Sequence, residues 1–101
     1  MKIKTIDANF LEWFDKANGN SYCAGTVTIN YNMKDEKTLV CPFQYGYGDF
    51  YTQAAMERIR EAKLAKEDDR PLWRFCDDHD IILRAGIERG CLKRDLKAIA
   101  A

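Results

Sequence analysis

The chain has 101 residues, a length that one domain fills and that buries a single core without help from disulfides or metals. Apolar residues make up 47% and charged residues 32%, an ordinary globular balance that argues against disorder. Lys plus Arg and Asp plus Glu total 16 each, so the formal charge is zero, without the basic excess of a dedicated DNA binder or the acidic excess of a DNA mimic.

The N-terminal Met-Lys-Ile-Lys-Thr-Ile-Asp is not followed by the apolar run of a signal peptide, and no stretch approaches the ~18 apolar residues of a membrane span. The expectation is a cytoplasmic protein with no membrane partner. Cys23, Cys41, Cys76 and Cys91 are separated by at least fifteen residues, whereas zinc knuckles need close Cys-x-x-Cys pairs. They read as four free thiols, mostly small apolar core residues, with no metal and no cofactor.

In chain order, Asp7 to about Ala17 reads as a first helix. Asp7 is its N-cap, Phe10, Leu11 and Phe14 share one face, Trp13 flanks it, and Asn18-Gly19-Asn20 ends it. From Ser21 the period becomes two. Cys23, Gly25, Val27, Ile29 and Tyr31 alternate with Tyr22, Ala24, Thr26, Thr28 and Asn30, a half-buried strand with a wet outer face. Leu39, Cys41 and Phe43 resume the alternation, giving a hairpin over 21–31 and 37–43 with a loop of about four or five residues. Pro42 belongs at an edge or a strand end, because it cannot donate to a ladder.

Gln44-Tyr45-Gly46-Tyr47-Gly48-Asp49 then leads into a helix from Phe50 to roughly Lys66, with Asp49 as cap and Tyr51, Ala55, Ile59 and Ala62 as buried stripe. Glu67-Asp68-Asp69-Arg70-Pro71 is a charged break. Pro71 opens a short helix carrying Leu72, Trp73, Phe75 and Cys76. Ile81-Ile82-Leu83 begins a third strand near 81–87, although periodicity alone leaves a helix open there. Leu92, Leu96 and Ile99 mark a terminal helix from about Cys91. The whole is a single α+β domain over 1–101, a small antiparallel sheet with helices packed on one face. Its open sheet edge leaves room for a homodimer.

Three segments invite a functional reading. The Tyr-Gly-Tyr-Gly-Asp turn resembles a phosphate loop only superficially, since Asp49 puts negative charge where the anion would sit and no Gly-Lys-Ser/Thr follows. Its tyrosines are amphipathic anchors of the kind interfaces favour, so Tyr45, Tyr47, Asp49 and Phe50 are the candidate partner-binding residues. Asp77-Asp78-His79-Asp80 holds the chain's one histidine, but consecutive residues diverge, and a solvated turn is the better reading. No catalytic constellation assembles, and the protein reads as a non-enzyme. Lys93, Arg94 and Lys97, with Arg89 nearby, form a basic helix face that could touch a nucleic-acid backbone. Tyr22, Thr26 and Thr28 line the strand's outer face, where one aromatic among threonines is ordinary surface.

Asn-Ser-Tyr-x-Ala-Gly-Thr-Val, Pro-Phe-Gln-Tyr-Gly-Tyr-Gly-Asp, Leu-Trp-Arg-Phe-Cys and Cys-Leu-Lys-Arg-Asp-Leu-Lys, spread over about residues 20 to 98, resemble small uncharacterised proteins of tailed phages. That resemblance carries no residue roles. It implies an accessory protein acting in a bacterial host cell, where such proteins bind a host protein and disable it, as anti-CRISPR and other anti-defence proteins do. A small nucleic-acid-associated module is the alternative.

Overall fold

The computed structural model describes residues 2–66 and 70–100. The chain forms β1 (Thr5–Asp15), β2 (Asn20–Ile29), β3 (Lys37–Tyr45), α1 (Phe50–Glu61), α2 (Leu72–Asp78), β4 (Ile82–Glu88) and α3 (Lys93–Ile99). The fold is α+β, as expected, around one four-stranded sheet of order β3-β2-β1-β4. The sheet is mixed rather than antiparallel. β1, β2 and β3 form an antiparallel meander, and β4 returns parallel to β1 after α1 and α2 have crossed the sheet.

The expected first helix is a strand. Phe10, Leu11, Trp13 and Phe14 have helix-like spacing, yet β1 is the strand between β2 and β4. Thr5 to Phe10 alternate as a half-buried strand does, with Ile6, Ala8 and Phe10 buried; the alternation is lost from Leu11, because Leu11 and Trp13 on the other face are partly covered as well. Ile6, Ala8 and Phe10 face the main core with Val27, Ile29, Leu39 and Cys41. Leu11 and Trp13 face the other way, opposite Ala24 and Tyr22. Asp7 is therefore no N-cap. It lies mid-strand, where its carboxylate accepts two hydrogen bonds from the Arg84 guanidinium at 2.6 and 3.0 Å. Asn18 and Gly19 belong to a four-residue hairpin turn closed by the Asp15–Asn20 pair. Gly19 takes φ +71° there, and its N–H donates to the Asp15 carbonyl at 2.7 Å.

The β2–β3 hairpin is present with a longer loop than expected, residues 30–36 between Ile29 and Lys37. Gly25 pairs with Cys41 but Cys23 pairs with Gln44, so β3 carries one extra residue at Pro42-Phe43. This bulge lies on an edge strand, where proline is tolerated. α1 ends at Glu61 rather than near Lys66. Lys63 turns left-handed at φ +63°, and the Leu64 N–H bonds back to the Ile59 carbonyl at 3.1 Å, ending the helix and returning Leu64 toward the core. Glu67, Asp68 and Asp69 of the charged break lie outside the described residues. Pro71 is the residue before α2, and the third strand is confirmed as β4.

α1 and α2 share one face, burying Ala54, Ala55, Met56 and Ile59 with Leu72, Phe75 and Cys76. The third helix is on the opposite face, against the expectation of helices on one side: α3 packs on β1, β2 and β3 with Leu96 fully buried. At the end of the sheet where Leu11 pairs with Ala24 and Trp13 with Tyr22 the second face is apolar too, so that end needs its own cover.

Asn30 ties the start of β1 to the exit of β2. It is buried at φ +53°, its Oδ1 accepts from the Lys4 N–H at 2.7 Å and the Thr5 N–H at 3.3 Å, and its Nδ2 donates to the Lys2 carbonyl at 2.9 Å. Asn30→Ala removes these partners and leaves a left-handed alanine. Chemical denaturation is expected to show a loss of about 2–4 kcal/mol, well above that of an exposed loop substitution such as Asn32→Ala.

Candidate interaction surface

The face of the sheet under α3 carries a layer of aromatic rings. Trp13 and Tyr22 are cross-strand neighbours whose rings stack at 5.5 Å and 23°. Tyr22 stacks on Phe43 at 5.0 Å and 13°, and Tyr45 meets Tyr22 edge-on at 5.9 Å and 87°. The bulge at Pro42-Phe43 puts Phe43 within reach of Tyr22, and both stacked and edge-on pairs suit the ring quadrupoles, at about 0.5–1.5 kcal/mol each.

α3 lies across this layer. The Lys93 Nζ sits 5.3 Å from the centre of the Trp13 ring and the Lys97 Nζ 5.5 Å from that of Phe43, with Leu96 on the same side of the helix. The helix start is closed locally, since the Leu92 N–H donates to Asp95 Oδ2 at 3.0 Å and the Asp95 N–H to the Leu92 carbonyl at 2.9 Å. Leu92, one of the three residues that mark this helix in the sequence, is exposed at its N-cap, and the helix begins at Lys93.

The two patches proposed from the sequence are thereby joined: Tyr45 is the outer ring of the layer, and Lys93 and Lys97 rest on its inner rings. The other basic candidates differ. Arg94 is exposed, while Arg89 pairs with Glu12 of β1. Tyr45 and Tyr47 are 61% and 78% exposed. Gly46 between them is pinned, its N–H donating to the Ser21 carbonyl at 3.0 Å. A Cβ at Gly46 would come within 2.6 Å of Phe50 and 2.8 Å of Cys23 Sγ, so only glycine fits. Phe50 is thus the floor of the loop, half-buried against the core, rather than an exposed anchor. Asp49 is exposed and precedes α1, but its side chain makes no capping bond; its carbonyl accepts from the Thr52 N–H and Oγ1 at 3.0 and 2.8 Å. Phe14, half-exposed, pairs with Ser21 and points to the face opposite Trp13 and Tyr22, outside this layer. Trp13 and Phe43 are not among the sequence candidates, and Tyr22, read there as ordinary strand surface, is the ring that joins them. Their grouping depends on the identity of β1 as a strand and on the bulge.

The remaining reactive groups have structural roles. Asp77 and Asp78 end α2, His79 packs its ring 4.9 Å from that of Phe75, and Asp78 accepts from Arg70 at 2.6 Å. Among the described residues no group of three His, Cys, Asp or Glu side chains converges as metal ligands do. Cys23, Cys41 and Cys76 lie in the core, where burial pushes each thiol up to about 11. Cys91 is partly exposed, and burial together with its hydrogen bond to Glu88 also raises it. No helix among the described residues is long and apolar enough to span a membrane. Comparison with protein-family models, with curated proteins and with solved structures finds no match.

Two outcomes follow from this geometry. Trp13→Ala opens a hole under α3 and is expected to lower stability by about 3 kcal/mol and to speed amide exchange in α3; Lys93→Ala should cost only about 0.5–1 kcal/mol. The buried thiols are protonated in the folded state up to about pH 11, whereas unfolded thiols ionise near their ordinary 9.0. Between these values the unfolded state binds fewer protons, so stability is retained below pH 9 and falls as the pH rises toward 11. Urea midpoints across that range, and labelling by a thiol reagent of at most Cys91 until the chain unfolds, check this.

Proposed function

We propose that the protein is a non-enzymatic binding module, a phage-encoded inhibitor that docks a host defence protein against the aromatic end of its sheet. The observation that carries this reading is the mounting of Tyr45 and Tyr47. Both rings are largely exposed, on a backbone held by the Gly46–Ser21 hydrogen bond and seated on Phe50. Exposed aromatics on a fixed backbone lose little conformational freedom on binding and are the residue type that dominates interface energetics. The resemblance to small tailed-phage proteins supports the class of partner, a host protein of a system such as CRISPR-Cas.

A second reading, attachment to single-stranded nucleic acid, draws on the same surface, because stacked rings beside Lys93, Arg94 and Lys97 are the ingredients of such sites. The contacts weigh against it. Lys93 and Lys97 already lie on rings, Arg89 already pairs with Glu12, and the net charge is zero.

The test is affinity capture from a bacterial lysate by the wild-type chain and by Tyr45→Ala/Tyr47→Ala, with thermal melting of both. A stoichiometric host protein is expected with the wild type, and at least about a tenfold weaker affinity with the double variant at an unchanged melting temperature. Equal capture by both chains removes the loop from the interface. A mobility shift of oligonucleotides at low salt, abolished by Arg94→Glu and by added salt, would favour the second reading instead.

A further inference from the structure

The two edges of the sheet are built differently. On β3 several of the outward-facing groups are already occupied or missing. The Val40 carbonyl accepts from Arg58 Nε at 3.0 Å, the Pro42 carbonyl accepts from Gln44 Nε2 at 3.1 Å, and Pro42 has no N–H. The bulge distorts the same strand. These are the devices by which proteins close an edge to further pairing.

β4 has none of them. The Ile82 N–H donates to the Lys4 carbonyl at 3.0 Å, which fixes the alternation: Ile82, Arg84, Gly86 and Glu88 turn their backbone groups toward β1. Leu83, Ala85 and Ile87 therefore turn theirs outward, and among the described residues nothing pairs with them. The strand holds no proline or lysine, keeps an unbroken register with β1 over its whole length, and exposes Ile82 at 61%.

We propose that β4 pairs with β4 of a second copy of this chain, antiparallel about a two-fold axis through Gly86. The sequence of the strand selects this register. Outward groups face each other only when the paired residue numbers sum to an even value, which allows axes at Arg84, Ala85 or Gly86. An axis at Arg84 sets Arg84 against its own copy, a like-charge clash. An axis at Ala85 pairs the whole strand and sets Leu83 against Ile87, but it also sets Ile82 against Glu88 and Arg84 against Gly86, which leaves both charges without a partner across the seam. The axis at Gly86 sets Arg84 of each copy opposite Glu88 of the other, twice, and Ala85 opposite Ile87, twice. Arg84 and Glu88 share the face of β4 that carries the Asp7 pair, so each guanidinium lies between its own Asp7 and the second copy's Glu88. Gly86 has open space where a side chain would stand, so nothing obstructs the axis. The result is one continuous eight-stranded sheet with β3 and its neighbouring tyrosines at the two far ends. The pairing is independent of what those tyrosines bind.

Sedimentation of the full chain is expected to show a reversible dimer of twice the 11.7 kDa chain mass. A monomer at every concentration up to about 1 mM overturns the proposal. Glu88→Arg and Arg84→Glu should each weaken dimerisation at least about tenfold, since each creates two like-charge pairs, and an equimolar mixture should restore it as a heterodimer. Gly86→Cys, in a chain whose circular dichroism matches wild type, should oxidise to a covalent dimer that reductant dissolves. A dimer indifferent to Glu88→Arg, or one in which Ile82→Cys cross-links and Gly86→Cys does not, refutes this interface and register.

Discussion

Cover of the central strand β1, on one face over Ile6 to Phe10 and on the other at Leu11 and Trp13, sets the rest of the structure. Ile6, Ala8 and Phe10 need cover on one side, and α1 and α2 supply it; Leu11 and Trp13 need cover on the other, and α3 supplies it. Fully burying a side chain of this size contributes about 1.5–3 kcal/mol, so leaving either face wet would remove much of a small domain's stability. The strand must also have neighbours on both edges, which accounts for the crossover through α1 and α2 that brings β4 back beside β1. Asn30 and the Asp15–Gly19 turn then fix where β2 leaves and enters relative to this strand.

The candidate surface is a by-product of the same constraint. α3 is only seven residues long and covers part of the second face, so the aromatic layer runs out from under it. Trp13 and Phe43 lie beneath lysines, Tyr22 bridges them, and Tyr45 continues into solvent, with Tyr47 exposed beyond Gly46. The inner rings support Tyr45, and the lysines are drawn into the fold. The basic helix and the tyrosine loop are therefore parts of one assembly with a graded exposure from core to tip.

Much of the fold could be read from local signals, and the failures share one cause. β2, β3, α1, α2 and β4 each carry their own signal: a period of two with threonines, a proline at an edge, an alanine-rich stripe, a proline ahead of a short helix, and a branched apolar run. β1 carries a period of two only over Thr5 to Phe10; from Leu11 its second face is apolar too, and Phe10-Leu11-Glu12-Trp13-Phe14 fits a helix stripe as well as a strand. With β1 taken for a helix, nothing in the sequence calls for a second cover, and α3 falls on the same face as the other helices. The interaction surface was half legible. Tyr45 and Tyr47 stand out as loop aromatics, and the basic run of α3 stands out as charge. Their connection through Trp13, Tyr22 and Phe43 depends on cross-strand register and a one-residue bulge, neither of which composition encodes. Phe50 reads as one more exposed aromatic until Gly46 is seen to rest on it.

The claim on which the rest depends is that β1 is a strand held between β2 and β4. Residue-resolved hydrogen exchange of the free protein measures this directly. Amides of Ile6 to Trp13 should exchange among the slowest in the chain, near the limit set by global unfolding, together with those of Ala24 to Ile29. Exchange of Phe10 to Trp13 as fast as that of the loop at 31–36, with Ala24 to Ile29 still protected, would contradict the account.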